Sequence, residues 1–179
     1  MRKAASVFLR AEIENSDVRR LMKWLGNEDV THYLNEDSAA CAGISDLLER
    51  VPAQMLGCRL NDGGRFFFAC LEGYGAIGFV RLQKMPGNEY EIVFAVGEEE
   101  LWGRGYGSEA VAAALSRMFF ECRADRITAK IRHGNARSVN TVRGCGFRRS
   151  GESEKYLHYS ITMEQYLDLM RERRDEDIA

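Results

Sequence analysis

The sequence predicts a single mixed α/β domain, a sheet of about seven strands with helices packed on it. Three observations predict it. Helical apolar spacing near the start gives way to three consecutive strand patterns, Arg65–Leu71, Gly75–Lys84 and Glu89–Val96, which read as an antiparallel meander. The second half then alternates helix and strand. Finally, 179 residues with 45% hydrophobic and 29% charged side chains contain no repeat and no dividing linker, which suits one globular core. The domain is read as residues 1–170, with a charged, frayed tail over 171–179.

Val7–Ile13 reads as the first strand. Asn15 or Ser16 caps a helix through Val18, Leu21, Met22, Trp24 and Leu25, and Gly26-Asn27 ends it. A second helical stretch covers Asp29 to Leu34. A third covers Ile44 to Leu56, and Pro52 kinks or interrupts it. Phe66-Phe67-Phe68 is a core strand. Gly73-Tyr74 and Met85-Pro86-Gly87-Asn88 are the turns of the meander. Helices follow over Ser108–Cys122 and Asn135–Cys145, separated by the strand Arg126–Arg132. Phe147–Ser150 and Lys155–Thr162 finish the sheet, and Met163–Met170 is a short last helix.

Composition excludes several classes. A net charge of −2 gives no general pull toward nucleic acid, and Arg171 to Arg174 read as solvated charges. No apolar run approaches the roughly 20 residues that span a bilayer. The basic start, Met1-Arg2-Lys3-Ala4-Ala5, lacks the apolar core of an export signal, so the cytoplasm is expected. Cys41, Cys58, Cys70, Cys122 and Cys145 are odd in number without a CxxC spacing, so reduced thiols are expected. His32, His133 and His158 are scattered, and no metal site is expected.

The chemistry concentrates in Trp102-Gly103-Arg104-Gly105-Tyr106-Gly107-Ser108-Glu109-Ala110. Glycines at alternate positions stand between a strand and a strongly helical segment. Glycine turns into positive φ and lets a ligand touch the backbone. The helix start behind it offers unpaired N–H groups and a positive dipole end, a site for phosphate. A second signal follows at a fixed distance. Asn135-Ala136-Arg137-Ser138 comes after a strand, and Gly146-Phe147 closes the helix behind it. Asn135 suits a helix cap and could equally donate to a ligand carbonyl.

This series resembles the GNAT superfamily of N-acetyltransferases, and within it the branch of ribosomal-protein N-terminal and spermidine acetyltransferases. The resemblance is good over Gly75–Thr162 and looser over Phe8–Leu56. It implies a mostly antiparallel sheet that splays to hold acetyl-CoA in a V between two strands. The backbone of Phe94, Ala95 and Val96 would pair with the pantetheine arm. The turn of Arg104, Gly105, Tyr106, Gly107 and Ser108 would wrap the pyrophosphate. Asn135 and Ser138 match the family's pantetheine-side residues. Arg104, Arg137 and Arg143 are phosphate candidates, with a solvated role favoured for Arg137.

The chain departs from the family pattern at two positions. Trp102 stands where Gln or Arg is frequent, and Val142 stands where many members carry a Tyr acid toward the leaving thiolate. Glu91, early on the cofactor-side strand, is the candidate base, and Glu89 is the reserve. His158 and Tyr156 are candidates for the acceptor pocket. Trp24 and Tyr33 sit where the family's first helices cover the acceptor, though core packing is favoured. The expected activity is acetyl transfer from acetyl-CoA to a primary amine by direct attack in a ternary complex, in a monomer or homodimer. A peptide N-terminus, a polyamine, an aminoglycoside-like compound and a small metabolite all remain open as acceptors. Two alternatives stand beside it. One is a non-catalytic acetyl-CoA-binding module. The other is a dinucleotide-dependent oxidoreductase, from Gly105-x-Gly107-x-x-Ala110 with Asp125 about 20 residues on; the residues between strand and turn, and the preceding meander, argue against it.

Overall fold

A computed structural model of the protein describes residues 6–32, 34 and 44–178. Tyr33, Cys41 and the basic start lie outside them. The strands are β1 (Val7–Arg10), β2 (Gly64–Leu71), β3 (Gly75–Met85), β4 (Glu89–Val96), β5 (Arg126–Arg132), β6 (Arg148–Glu152) and β7 (Tyr156–Thr162). The helices are α1 (Asn15–Leu25), α2 (Glu28–Thr31), α3 (Ile44–Arg50), α4 (Ala53–Leu60), α5 (Tyr106–Phe120), α6 (Ala136–Gly144) and α7 (Met163–Ile178). The strands form one seven-stranded sheet in the order β1-β2-β3-β4-β5-β7-β6. All neighbours are antiparallel except β4 and β5.

The Phe66-Phe67-Phe68 run explains the layering. Successive strand residues point to opposite faces, so a sheet covered on both sides takes aromatics at every position. Phe66 and Phe68 join Phe79, Val93, Leu21, Trp24, Ile44 and Leu56 on the face that packs α1–α4. Phe66 stacks on Phe79 with ring centroids 5.7 Å apart. Phe67 points the other way, with Ile77, Val80, Leu82 and Ile92, against Val111, Leu115 and Phe119 of α5.

Several boundaries differ from expectation for local reasons. β1 stops at Arg10, whose guanidinium grips both oxygens of Asp17 at 2.9 Å. That holds Asp17 for a capping box with Glu14, so Glu14 rather than Asn15 or Ser16 caps α1. Pro52 divides the expected long helix into α3 and α4. α5 starts earlier than expected, at Tyr106, because Gly105 at φ 86° is its cap. The expected tail is instead the end of α7. That helix is anchored by Tyr166 stacked on Phe119 with centroids 5.0 Å apart, and Arg173 donates to the Gly144 carbonyl at 2.8 Å.

The acidic segment after β4 docks on α1. Glu98 is buried, accepting from the Trp24 indole and from the Lys23 ammonium at 3.0 Å each. Asn27, the cap of α2, donates to Glu99 at 2.6 Å. Trp24 lies flat against Gly97, where any Cβ would run into its indole. Trp24 is therefore core, the reading favoured from sequence. Among the described residues no helix is long and apolar enough to cross a membrane, and no three His, Cys, Asp or Glu side chains gather as a metal site would need.

Gly97→Ala should destabilise the fold by roughly 1–3 kcal/mol, the usual cost of overpacking, read as a lower urea midpoint with an unchanged slope. The thiols give a second test. Cys58 is exposed, whereas Cys70 and Cys145 are buried, and burial pushes the Cys145 thiol up to about 11. Since the thiolate is the reacting form, alkylation of the native protein at neutral pH should label Cys58 and reach Cys70 and Cys145 only after unfolding, by peptide mass mapping.

Candidate active site

The parallel pairing of β4 with β5 is short. It runs from Glu89–Arg126 to Glu91–Thr128 and stops, and the strands part beyond it. Antiparallel strands alternate which residues turn their amides to the partner. Gly97 N–H donates to the Ile77 carbonyl at 2.8 Å, so the alternation turns Ala95 toward β3 and turns Ile92, Phe94 and Val96 toward the opening. The gap is walled by Ile92, Val93 and Phe94 on one side and by Ala129, Lys130 and Ile131 on the other. Asn135 and Ser138 of the α6 start stand at one mouth and Leu34, from the α1–α4 side, at the other. The opening thus passes through the sheet.

Beside it lies the glycine turn. Gly103 and Gly105 have φ of 74° and 86°, a region that a side chain disfavours. The first intrahelical bond of α5 runs from Glu109 N–H to the Gly105 carbonyl at 3.1 Å. The amides of Tyr106, Gly107 and Ser108 are therefore left for a guest, and no side chain caps the helix. The half-buried ring of Tyr106 packs against the core. A Cβ on Gly107 would touch Val96 and Thr141 at ordinary contact distance. Glu109 in this first turn would repel an anion, but it accepts from Val7 N–H at 2.8 Å and is drawn toward β1. Arg104 is exposed in the turn itself.

Trp102 has two contacts that the sequence did not reveal. Its indole N–H donates to the Val96 carbonyl at 2.7 Å, filling one acceptor on the open edge. The Arg137 guanidinium lies 4.1 Å from the centre of its ring, a cation–π pair. Arg137 is exposed, as expected, yet it is seated rather than free in solvent. Asn135 caps α6 through its carbonyl oxygen, which accepts from Ser138 N–H at 3.1 Å. Its amide nitrogen has no partner among the described residues, and the side chain is buried at the mouth. Val142 is fully buried and Arg143 is exposed, neither lining the gap.

Glu91 is the last residue of β4 paired to β5, so it stands at the fork. It is 1% exposed and accepts from Lys130 Nζ at 2.7 Å. A solvent-facing carboxylate is thereby excluded. Glu89, on the same face, lies 3.6 Å from Arg126 at the closed end. His158 stands opposite Lys130 and Tyr156 opposite Arg132 in the β5–β7 register. Lys130 was missed from sequence. Its signal was available in the alternation Arg126-Ile127-Thr128-Ala129-Lys130-Ile131-Arg132, which puts every cation of β5 on the face of Glu91 once the parallel register is known.

The sheet is thus split at its one parallel pair, and beside the split stands a helix start that no side chain caps. A family model described as an acetyltransferase (GNAT) domain matches residues 7–148, and the chain belongs to that family. The resemblance read from the glycine turn and the Asn135 helix is borne out. An uncharacterized N-acetyltransferase p20 of Bacillus licheniformis is 25% identical over 148 residues, 82% of this chain and 81% of its own length. The fold is similar to spermidine N-acetyltransferase from Vibrio cholerae, solved with CoA and spermine. That match has a TM-score of 0.72 at 20% identity and covers 90% of this chain and 98% of that one. It is also similar to the aminoglycoside acetyltransferase AAC(6')-Ib, solved with ribostamycin and coenzyme A. Here the TM-score is 0.72 at 18% identity, over 90% and 96% of the two chains.

Proposed function

We propose that the protein is an acetyl-CoA-dependent N-acetyltransferase that acts on a primary amine by direct attack in a ternary complex. The observation that carries this reading is the gap through the sheet, with a bare strand edge on one wall and an anion-binding helix start at its rim. The edge amides of Phe94 and Val96, on either side of Ala95, pair with the pantetheine arm. The amides of Gly105, Tyr106, Gly107 and Ser108 hold the pyrophosphate, and Arg104 and Arg143 add charge at its margin. The free amide nitrogen of Asn135 donates to a pantetheine carbonyl beside Ser138. Bound acetyl-CoA supplies an activated acyl carbonyl.

The amine enters from the α1–α4 side, past Leu34. A gap-facing backbone N–H of β4 stabilises negative charge at the carbonyl oxygen. Glu91 collects the proton of the incoming ammonium, and the contact with Lys130 positions its carboxylate at the fork. With Val142 sealed in the core, proton delivery to sulfur falls to Lys130 or water at the fork. The reading asks for acetyl-CoA and an amine acceptor, needs no nucleic acid or membrane, and suits a monomer or homodimer. The unpaired thiols Cys58, Cys70, Cys122 and Cys145 fit a reducing cytoplasm.

Calorimetric titration with acetyl-CoA tests the cofactor half. Gly105→Val should raise Kd at least about tenfold, because the branched Cβ strains positive φ and crowds the amides. Unchanged affinity in the folded variant would remove the turn from the site. The acid–base half is read from thiol release over an amine panel. Glu91→Gln should lower kcat/KM on the order of a hundredfold. The deficit should shrink as pH rises, since more acceptor is then already free amine. Wild-type rates across that range would leave water as the proton acceptor.

A further inference from the structure

Four segments converge on Val96 at the end of β4. Its carbonyl accepts the Trp102 indole N–H at 2.7 Å. A Cβ on Gly107 would stand 3.8 Å from its side chain and 3.9 Å from the Thr141 hydroxyl of α6. The end of the gap is thus bounded by the chain that follows β4 on one side and by α6, which follows β5, on the other.

Arg137 joins the two sides. It lies in the first turn of α6, four residues before Thr141 and so on the same face of that helix. Its guanidinium lies 4.1 Å from the centre of the Trp102 ring. A guest that leaves the edge of β4 at Val96 for the amides of Tyr106, Gly107 and Ser108 passes beside this contact. The ring is itself held by the Val96 carbonyl, so the guanidinium rests on a fixed seat. Stacking uses the flat face of the group, and its five N–H donors lie in the plane and stay available. No carboxylate pairs with Arg137 among the described residues. Asn135, two residues earlier, is buried with an amide nitrogen that also lacks a partner among them. The start of α6 therefore turns two unspent donor groups to the same mouth. The other arginines nearby are placed differently. Arg104 is exposed on the turn, and no ring beneath it is seen among the described residues. Arg143 stands about 200° around α6 from Thr141.

We infer that Arg137 is the guanidinium that grips the phosphates of the acyl donor, and that Trp102 is its positioning residue. This rests on the reading of the gap as an acetyl-CoA site. A cation already held in place loses little freedom when the anion arrives. Arg137 acts on the hold of the donor and leaves the acyl transfer step to the fork.

The test measures calorimetric binding of acetyl-CoA and of ADP, and thiol release from acetyl-CoA and from S-acetylpantetheine, which has no phosphate, all on the full chain. Arg137→Gln should raise Kd for acetyl-CoA and for ADP about tenfold and flatten the salt dependence of both. It should raise KM for acetyl-CoA without lowering kcat, and leave kcat/KM for S-acetylpantetheine unchanged. Trp102→Leu should weaken acetyl-CoA as much as Arg137→Gln, and the double variant no more than either, the sign of one shared interaction. Trp102→Phe keeps a ring face without the indole N–H and should retain most of the affinity. Melting temperatures confirm the fold of each variant. Wild-type affinity in Arg137→Gln, an equal loss with S-acetylpantetheine, or additive losses in the double variant overturn the inference while acetyl transfer stands. Arg137-dependent binding of ADP and acetyl-CoA without transfer to any amine supports the phosphate grip and overturns the transfer reading instead. A wild-type chain that binds neither compound overturns both.

Discussion

The rest of the structure depends on how briefly β4 and β5 stay together. Parallel strands can hydrogen-bond along their whole length, yet this pair separates after Glu91 and Thr128. On the far side of β4 the register with β3 continues unbroken to Val96, so β4 stays with β3 while β5 stays with β7. The fork is tied by the Glu91–Lys130 pair. An ion pair in so buried a place must offset a large desolvation cost, and Lys130, itself partly exposed, lessens that cost by keeping its ammonium near water. The tie fixes where the sheet opens.

The open wall is steadied from behind. Gly97 admits the Trp24 indole, Glu98 receives the indole N–H and the Lys23 ammonium, and the acidic stretch is thereby pinned to α1. The chain then turns through Gly103 and Gly105 into α5, with Trp102 bridging Val96 and Arg137. The end of β4, the glycine turn that follows it and the distant α6 meet at one indole. That arrangement gives Trp102 a role a Gln or Arg at the same position could share only in part, since neither presents an aromatic face.

Much of this was legible in the sequence. The meander, the β5 strand and the α6 helix follow from alternation and helical spacing, and the glycine turn and Asn135 follow from local chemistry that needs no tertiary context. Glu91 could be singled out as well, but not its burial. What stayed hidden depends on register or on packing between distant segments. Lys130 meets Glu91 only through the parallel alignment of two strands separated by a helix. Glu98 is one of three consecutive acids in the sequence, and nothing local marks its burial until α1 brings Trp24 to it. The charged end of α7 reads as a frayed tail because its anchors, Phe119 and Gly144, lie on other helices.

The bare edge of β4 has a consequence for the solubility of the chain. Unpaired strand edges invite pairing with other molecules and seed aggregation, and proteins usually blunt them with charge, bulges or covering segments. Here the unsatisfied amides lie in the interior of the sheet, with β5 a few residues to one side and β3 on the other. A second chain approaching as a full strand would meet the Lys130 and Ile131 wall, while a slender, flexible arm could enter. Splitting a sheet from within exposes hydrogen-bonding backbone to a narrow guest while withholding it from a neighbouring protein.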